Sequence, residues 1–197
     1  MNYLAHLLLA ENHPESRIGN IMGDFVKGNL ENYNNQYSAE IIKGIKLHRK
    51  VDEFTDSHQT FVTSKRRIVD NRRFSGIIID VCYDHFLAKH WASFSDESLD
   101  NFVGNVYREL QTYQNILPVN LQKALPRMIF EDWLGSYITL EGIGLALARI
   151  SRRLKRENPL ATAIDELMNN YSEIESDFLS FFPEVMSYAI KLCQETK

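Results

Sequence analysis

Glycine and proline are scarce in this sequence, with nine and five copies among 197 residues. The sequence also lacks the turn dipeptides that join short alternating runs into hairpins, which argues against a fold built mainly of β-strands. There is no internal repeat and no low-complexity segment, so solenoid and disordered architectures are excluded as well. What remains is a set of long stretches without a helix breaker, which favours a helical protein.

Cysteine is rare too. Cys82 and Cys193 are the two cysteines, and neither belongs to a C-x-x-C pair, so a disulfide framework is excluded and idle thiols in a reducing compartment are expected. The apolar opening MNYLAHLLLA is interrupted by His6 and is preceded by no basic residue. It is too short to span a bilayer and unlike a signal peptide. We therefore expect a cytoplasmic protein without membrane association.

Apolar residues recur at helical spacing in several segments. Ser38 is a good N-cap, Ser95 begins another N-terminal signal, and Pro159 and Pro183 are expected to mark helix starts, because proline is tolerated in the first turn. The helices predicted are 39–54, 77–91, 96–116, 161–179 and 184–195. Residues 77–91 are apolar on most sides, which predicts a central position. The sequence predicts one all-α domain over residues 1–197, a bundle of seven or eight helices.

The net charge is −4, but the charge is unevenly distributed, and two segments of the chain are strongly basic. Residues 65–73 carry five basic side chains and one acid, and residues 149–156 carry five basic side chains and no acid. A mildly acidic protein with concentrated basic patches suggests an anionic partner other than nucleic acid. The alternative is that each cluster is a solvated helix face. The basic residues taken as partner-binding candidates are Lys65, Arg66, Arg67, Arg152 and Arg153.

All six histidines lie within the first 90 residues, together with several aspartates. His48 and Asp52 are four residues apart on a predicted helix, as are Asp80 and Asp84, so each pair shares a helix face. The second pair lies in the apolar segment IIIDVCYDHFL, where an unpaired carboxylate costs several kcal/mol to bury. A divalent ion such as Mn²⁺, Fe²⁺ or Zn²⁺ would satisfy such carboxylates and imidazoles together. Local hydrogen bonding is the alternative.

The motifs of other chemistries are missing from the chain. It has no G-x-S-x-G elbow, no phosphate-binding P-loop and no G-x-G-x-x-G fingerprint. The Glu-x-x-His pairs of a ferritin-like di-iron bundle are also missing. A metal held by His and Asp can activate water and polarise a phosphoryl oxygen. Phosphoester hydrolysis is therefore the reaction favoured. Lys27 and Arg49 lie close in sequence to the candidate metal ligands Asp24 and His48, and both are candidates for contacting the phosphate.

Four segments in the first half resemble the acyl carrier protein phosphodiesterases, also called acyl carrier protein hydrolases. They are MNYLAHLLLA at the start, GNIMGDFVKG at 19–28, GIKLHRKVDEFTD at 44–56 and DVCYDHFLAKHW at 80–91. The resemblance implies hydrolysis of holo acyl carrier protein to the apo form and free 4′-phosphopantetheine. It also implies Mn²⁺ as the activating metal, with Fe²⁺, Co²⁺ and Mg²⁺ as alternatives, and a helical fold similar to the HD-domain phosphohydrolases.

By that resemblance, the matching residues become candidates for the site. The metal candidates are Asp24, His48, Asp52, Asp80 and Asp84, and the catalytic candidates are Asp24, His85 and His6. The local order here is Asp-His, at 84 and 85, whereas the HD superfamily has His-Asp. Acyl carrier protein is acidic, so the two basic clusters become candidate docking sites.

Two other functions remain open on the sequence. One is an HD-type nucleotide phosphohydrolase or cyclic-nucleotide phosphodiesterase, which shares the same chemistry and would be separated by a substrate panel. The other is a non-catalytic helical module that binds an acidic partner through its basic clusters, with the histidines and aspartates satisfied internally. Metal content of the purified protein distinguishes the second from both enzymes.

Overall fold

The computed structural model describes residues 1–195. Within them the chain forms ten α-helices joined by short 3₁₀ turns, and these residues contain no β-strand, which confirms the all-α prediction. The helices are α1 (Tyr3–Leu9), α2 (Pro14–Met22), α3 (Ala39–Ser57), α4 (Gln59–Arg67), α5 (Ser75–Lys89), α6 (Leu99–Thr112), α7 (Val119–Phe130), α8 (Leu140–Arg153), α9 (Ile164–Asn169) and α10 (Tyr171–Glu195).

Serine caps define two helix starts, one of them as predicted. The Ser38 hydroxyl accepts a hydrogen bond from the Ile41 amide at 3.3 Å, and α3 begins at the next residue. The predicted start of the helix over 96–116 is wrong, because α6 begins at Leu99 and the Ser98 hydroxyl caps it. Ser95 instead accepts from the Glu97 amide, which closes a turn before the helix. Two neighbouring serines offer the same capping signal in the sequence, so local pattern alone does not choose between them.

The prediction that Pro183 starts a helix is wrong. Pro183 lies inside α10, a single helix of 25 residues. Proline deprives the Leu179 carbonyl of its usual helical donor, but Leu179 is 41% exposed, so water can replace it. Phe178, Phe181 and Phe182 around the proline are fully buried, and their burial offsets the local cost. Although α10 is long, neither it nor any other helix within residues 1–195 is apolar enough to cross a bilayer.

Helix α5 lies at the centre of the fold, as its apolar sequence predicts. Eleven of its 15 residues are buried, and it packs against α1, α4, α8 and α10. Tyr83 is fully buried among aromatic rings of α4 and α10, including Phe61 and Phe178. Of its two acidic residues, Asp84 is fully buried, whereas the Asp80 side chain is 32% exposed.

Helices α2 and α3 cross at two glycines. A Cβ atom at Gly19 would collide with the backbone of Ile41 and would lie 2.9 Å from the Cα of Gly44. A Cβ at Gly44 would collide with the Ser16 carbonyl oxygen. The absence of side chains at this point lets the two helix backbones approach more closely than ordinary packing permits. The close crossing brings the end of α2 next to the middle of α3.

Candidate metal centre

Three side chains from two helices meet in a compact cluster. His6 of α1 and His48 of α3 stack with ring centroids 3.8 Å apart. The Nε2 atom of His6 lies 3.0 Å from Oδ1 of Asp52, and Nε2 of His48 lies 3.2 Å from Oδ2 of the same carboxylate. One potential ligand atom from each residue falls within 4.8 Å of the others, a spacing that suits one metal ion. Asp24 extends the cluster, with Oδ1 3.7 Å from Nε2 of His48.

The charge states of His6 and Asp52 suit a cation site. Burial lowers the pKa of His6 to about 4, and the neighbouring His48 lowers it further. Burial also opposes a charge on His48, but Asp24 and Asp52 outweigh it and raise the His48 pKa. For Asp52 burial works against ionisation, yet hydrogen bonds with His48 and His6 hold its pKa well below the usual range. At neutral pH His6 is therefore neutral, with a lone pair to share, beside an ionised carboxylate.

Two ring atoms of the cluster have no hydrogen-bond partner. Nδ1 of His6 and Nδ1 of His48 are both buried without one. Such orphaned polar atoms are rare in folded proteins, but Nε2, not Nδ1, is the atom of each ring that faces Asp52. Together with one carboxylate, two imidazoles form a standard mixed donor set for Mn²⁺, Fe²⁺ or Zn²⁺. The residues present therefore fit a divalent metal.

A positive charge lies against the carboxylates of this centre. The α-amino group of Met1 is buried 3.0 Å from Oδ1 of Asp80 and 3.5 Å from Oδ1 of Asp52. Burial lowers its pKa, but Asp80 and Asp52 more than offset that effect and raise it to about 10. Asp80 thus borders the centre through this ammonium group. Two carboxylates therefore converge on one buried ammonium group, which compensates part of their negative charge.

Local backbone features position His48 and Asp24. A Cβ atom at Gly23 would collide with the imidazole of His48, so glycine leaves the space that the ring occupies. The Arg49 guanidinium donates to the carbonyl oxygens of Val26 and Gly28, both at 2.9 Å, and so fastens the loop that follows Asp24. Arg49, predicted as a phosphate contact, is placed by the structure in this loop-fastening role. Lys27 in the same loop has an exposed side chain.

Asp84, one turn after Asp80 on α5, lies against the first turn of α1. Its Oδ2 accepts from the Leu4 amide at 2.8 Å, and its Oδ1 accepts from the Ala5 amide at 3.1 Å. Burial raises the pKa of Asp84 to about 7, and these two amides oppose the rise. Both carboxylate oxygens of Asp84, a predicted metal ligand, are therefore hydrogen-bonded to the backbone of α1. These bonds hold α1, and with it His6, against α5.

Both ring nitrogens of His85, a predicted catalytic residue, have partners within the fold. Nδ1 is 2.8 Å from the carbonyl oxygen of Tyr137, and Nε2 is 2.7 Å from the hydroxyl of Tyr171. Burial lowers the pKa of His85, with only partial compensation from the Tyr137 carbonyl. His85 therefore contacts the 3₁₀ turn that contains Tyr137 and the first residue of α10. Of the predicted residues, the structure brings together His6, His48, Asp52 and Asp24. Asp80 lies next to this cluster, because the Met1 ammonium group contacts both Asp80 and Asp52.

The two basic clusters differ in how they are engaged. Arg67 forms an ion pair with Asp177, at 2.9 Å between Nε and Oδ2, and Lys65 lies over the ring of Phe61. By contrast, Arg152 and Arg153 are exposed, and no carboxylate lies within 4.0 Å of either guanidinium group among residues 1–195. Arg66 is exposed as well. The cluster at 149–156 is therefore the one with more uncompensated positive charge.

A cavity of about 360 Å³ opens beside the second cluster. It is bounded by the N-terminal turn, α7 and α8, and Lys123 and Arg127 of α7 add two cations to Arg149, Arg152 and Arg153. Lys123 and Arg127 are not among the binding residues predicted from the sequence. Their spacing of four residues on one helix face was a usable signal, although nothing in the chain shows that this face meets α8.

The comparisons with known proteins agree with one another. The family model described as "Acyl carrier protein phosphodiesterase" matches residues 1–185. Proteins named acyl carrier protein phosphodiesterase are similar over almost the whole chain: the one from Klebsiella pneumoniae (strain 342) is 36% identical, covering 96% of this chain and 97% of its own. Those from Serratia proteamaculans and Photorhabdus laumondii are 34% and 32% identical, each over 96% of this chain and over 97% and 95% of their own. No solved structure matches the chain.

Proposed function

The chain belongs to the acyl carrier protein phosphodiesterase family, and we propose that it hydrolyses the phosphodiester between 4′-phosphopantetheine and the serine of holo acyl carrier protein. The products are apo acyl carrier protein and 4′-phosphopantetheine. The observation that carries this proposal is the His6–His48–Asp52 cluster, which supplies a chemically suitable centre in a chain whose relatives bear that name. In the reaction the oxygen of water bonds to phosphorus, the phosphorus–serine oxygen bond breaks, and the serine oxygen gains a proton.

We propose that His6, His48 and Asp52 hold a divalent ion, with Mn²⁺ favoured and Fe²⁺, Co²⁺ and Mg²⁺ as alternatives. An ion bound there supplies positive charge that polarises a phosphoryl oxygen and lowers the pKa of water. The chain's own contribution is to orient the ligands. Asp52 contacts both imidazoles, so it fixes their ring orientation, and Gly23 leaves the space that His48 fills.

We assign the acid–base role to Asp24. Its side chain is 51% exposed at the edge of the cluster, so a substrate phosphate can approach it from solvent. Burial raises its pKa, but hydrogen bonding and charge attraction from His48 lower it by more, so the carboxylate is ionised at neutral pH and can accept a proton from water. His85 is less suited to this role, because both of its nitrogens are bonded within the fold.

We propose that the acidic carrier docks on the cluster at 149–156. The exposed Arg152 and Arg153 lack carboxylate partners within residues 1–195, and Lys123 extends the same positive surface. Attraction between such a surface and an acidic protein accelerates association and weakens as salt is added. The cluster at 65–73 is the weaker candidate, because Arg67 is already paired with Asp177.

A cytoplasmic location, a single domain and a relation to HD-domain phosphohydrolases remain predictions from the sequence.

Incubation of the purified protein with holo acyl carrier protein, read by intact mass, tests the proposed function. The protein is first treated with chelator, and Mn²⁺ is then added to half of the sample. We expect loss of the phosphopantetheine mass in wild type with Mn²⁺, and no loss in His48→Ala. Asp96→Asn is a control, because Asp96 is exposed and distant in sequence from the cluster. Retention of the full holo mass by the wild-type reaction with every divalent ion would contradict the proposal, and a nucleotide panel would then be the next assay.

A further inference from the structure

Two adjoining cavities form a cleft between the N-terminal turn and α7. The first has a volume of about 360 Å³ and the second about 300 Å³. Both are lined by Tyr3, Asn120, Ala124, Trp133 and Arg153, so they are parts of one recess, called here the Tyr3–Trp133 cleft. Cavities of this size are typical of sites that bind a small organic group.

Two residues that line the cleft, Tyr3 and Phe25, lie close in the chain to residues of the metal centre. The ring of Tyr3 stacks on Phe25, with centroids 6.5 Å apart, and Phe25 directly follows Asp24 in the chain. Tyr3 also precedes His6 by one turn on α1. Tyr3 and Phe25 therefore join the cleft to the chain segments that carry His6 and Asp24.

The second cavity is lined mostly by apolar side chains, and most of the cations line the first. Phe25, Leu121, Met128 and Trp133 line the second cavity, Asn120 adds a side-chain amide and Arg153 adds a guanidinium there. In the first cavity, the guanidinium of Arg149 lies 4.6 Å from the centroid of the Trp133 ring and so holds that ring in place. Apolar walls with one amide and one guanidinium suit a flexible chain that carries methyl groups and amides close to an anionic group, whereas the exposed cations of the first cavity suit a protein with negative charge.

We propose that the Tyr3–Trp133 cleft binds the pantetheine arm of the substrate while its phosphate lies at the metal centre and the carrier docks outside. This inference rests on the proposed function and deepens it. The arm has two methyl groups on one carbon, two amides and a terminal thiol, which match the apolar walls and the Asn120 amide. Ala124, whose small side chain lines both cavities, leaves the room that the arm occupies. Asn120 and Ala124 are thus specificity-determining residues.

Two binding probes separate the arm from the carrier. 4′-Phosphopantetheine carries the arm without the carrier, and apo acyl carrier protein is the carrier without the arm. Both are titrated into the Mn²⁺-loaded protein by calorimetry. We expect Ala124→Phe to weaken 4′-phosphopantetheine binding at least tenfold, because the added ring fills the cleft, while the affinity for apo carrier changes less than twofold. Ala161→Phe makes the same change at an exposed position outside the cleft and should bind both probes like wild type.

A second variant keeps the test decisive if the larger side chain disturbs folding. Asn120→Ala removes an exposed side chain, so it leaves no buried cavity, and it should weaken 4′-phosphopantetheine binding several-fold. Wild-type affinity for 4′-phosphopantetheine in both variants, or no measurable binding by wild type, would overturn the inference. Weaker apo carrier binding in Ala124→Phe, with 4′-phosphopantetheine unaffected, would assign the cleft to the carrier instead. Failure of wild type to hydrolyse holo carrier is a separate result, and it would refute the proposed function.

Discussion

Replacement of Asp52 by asparagine tests the metal centre most directly. The carboxylate contacts both imidazoles, at 3.0 and 3.2 Å, and it is the third member of the proposed ligand set. Asparagine keeps the shape of the side chain but removes its charge and one acceptor. We expect Asp52→Asn to lose most of its affinity for Mn²⁺ while retaining the helical fold, because the side chain is 39% exposed and lies at the edge of the core.

The size of the effect follows from binding linkage. An ion that binds only the folded state at 100 times its dissociation constant stabilises that state by about 2.7 kcal/mol. In a protein of this length, 1 kcal/mol shifts the midpoint of thermal unfolding by roughly 2–4 °C. Wild type should therefore melt about 5–11 °C higher with Mn²⁺ than after treatment with chelator. Asp52→Asn should show a small fraction of that shift.

Differential scanning calorimetry with and without Mn²⁺ measures the shift, and Asp96→Asn is the matched control. The comparison is made between the two metal conditions of each variant, because the substitution also changes stability without metal. Loss of a charged acceptor for two imidazoles costs about 1–2 kcal/mol at this partly exposed position. An equal Mn²⁺ shift in wild type and Asp52→Asn would refute the ligand role of Asp52. No shift in wild type would refute metal binding by the folded protein.

Three further predictions concern other parts of the structure. Gly23→Ala places a methyl group in the space of the His48 ring, so we expect at least a tenfold loss of Mn²⁺ affinity by titration, and unchanged affinity would show that the ring can move aside. Combined Arg152→Glu and Arg153→Glu should raise the KM for holo acyl carrier protein about tenfold, or roughly 1.4 kcal/mol, and an unchanged KM would remove this cluster from the docking proposal. Pro183→Ala should raise the free energy of unfolding by about 1–3 kcal/mol in urea titrations, because it restores a helical donor at an exposed position, and a decrease would contradict our account of α10.

The parts of the site that depend on neighbouring residues along one helix were predictable. His48 and Asp52 are one turn apart, and helical geometry alone brings them within 3.2 Å. The cap at Ser38 and the central position of α5 are of the same kind, because spacing and composition determine them locally. These predictions needed no knowledge of which helices pack together.

The parts that depend on packing between helices were not predictable from one sequence. Asp80 and Asp84 have the same four-residue spacing as His48 and Asp52, yet Asp80 faces the Met1 ammonium group and Asp84 accepts from two amides of α1. A buried carboxylate needs compensation, and the sequence indicates that need without indicating its source. Backbone amides are present at every position except proline, so the side-chain pattern does not show which of them will bond a carboxylate. The sequence therefore suggested a metal as the partner of Asp84, where the structure has two amides of α1.

Helix α1 explains why the metal centre and the cleft occur together. One end of this short helix is held by Asp84, its His6 ring enters the metal centre, and its Tyr3 ring forms the wall of the cleft. A displacement of α1 therefore changes both sites at once, and a substitution at Asp84 cannot separate metal binding from binding of the arm. Asp52 on α3 and Ala124 on α7 belong to one site each. Independent effects of these two substitutions would thus show that the two sites are distinct, although a single helix supports both.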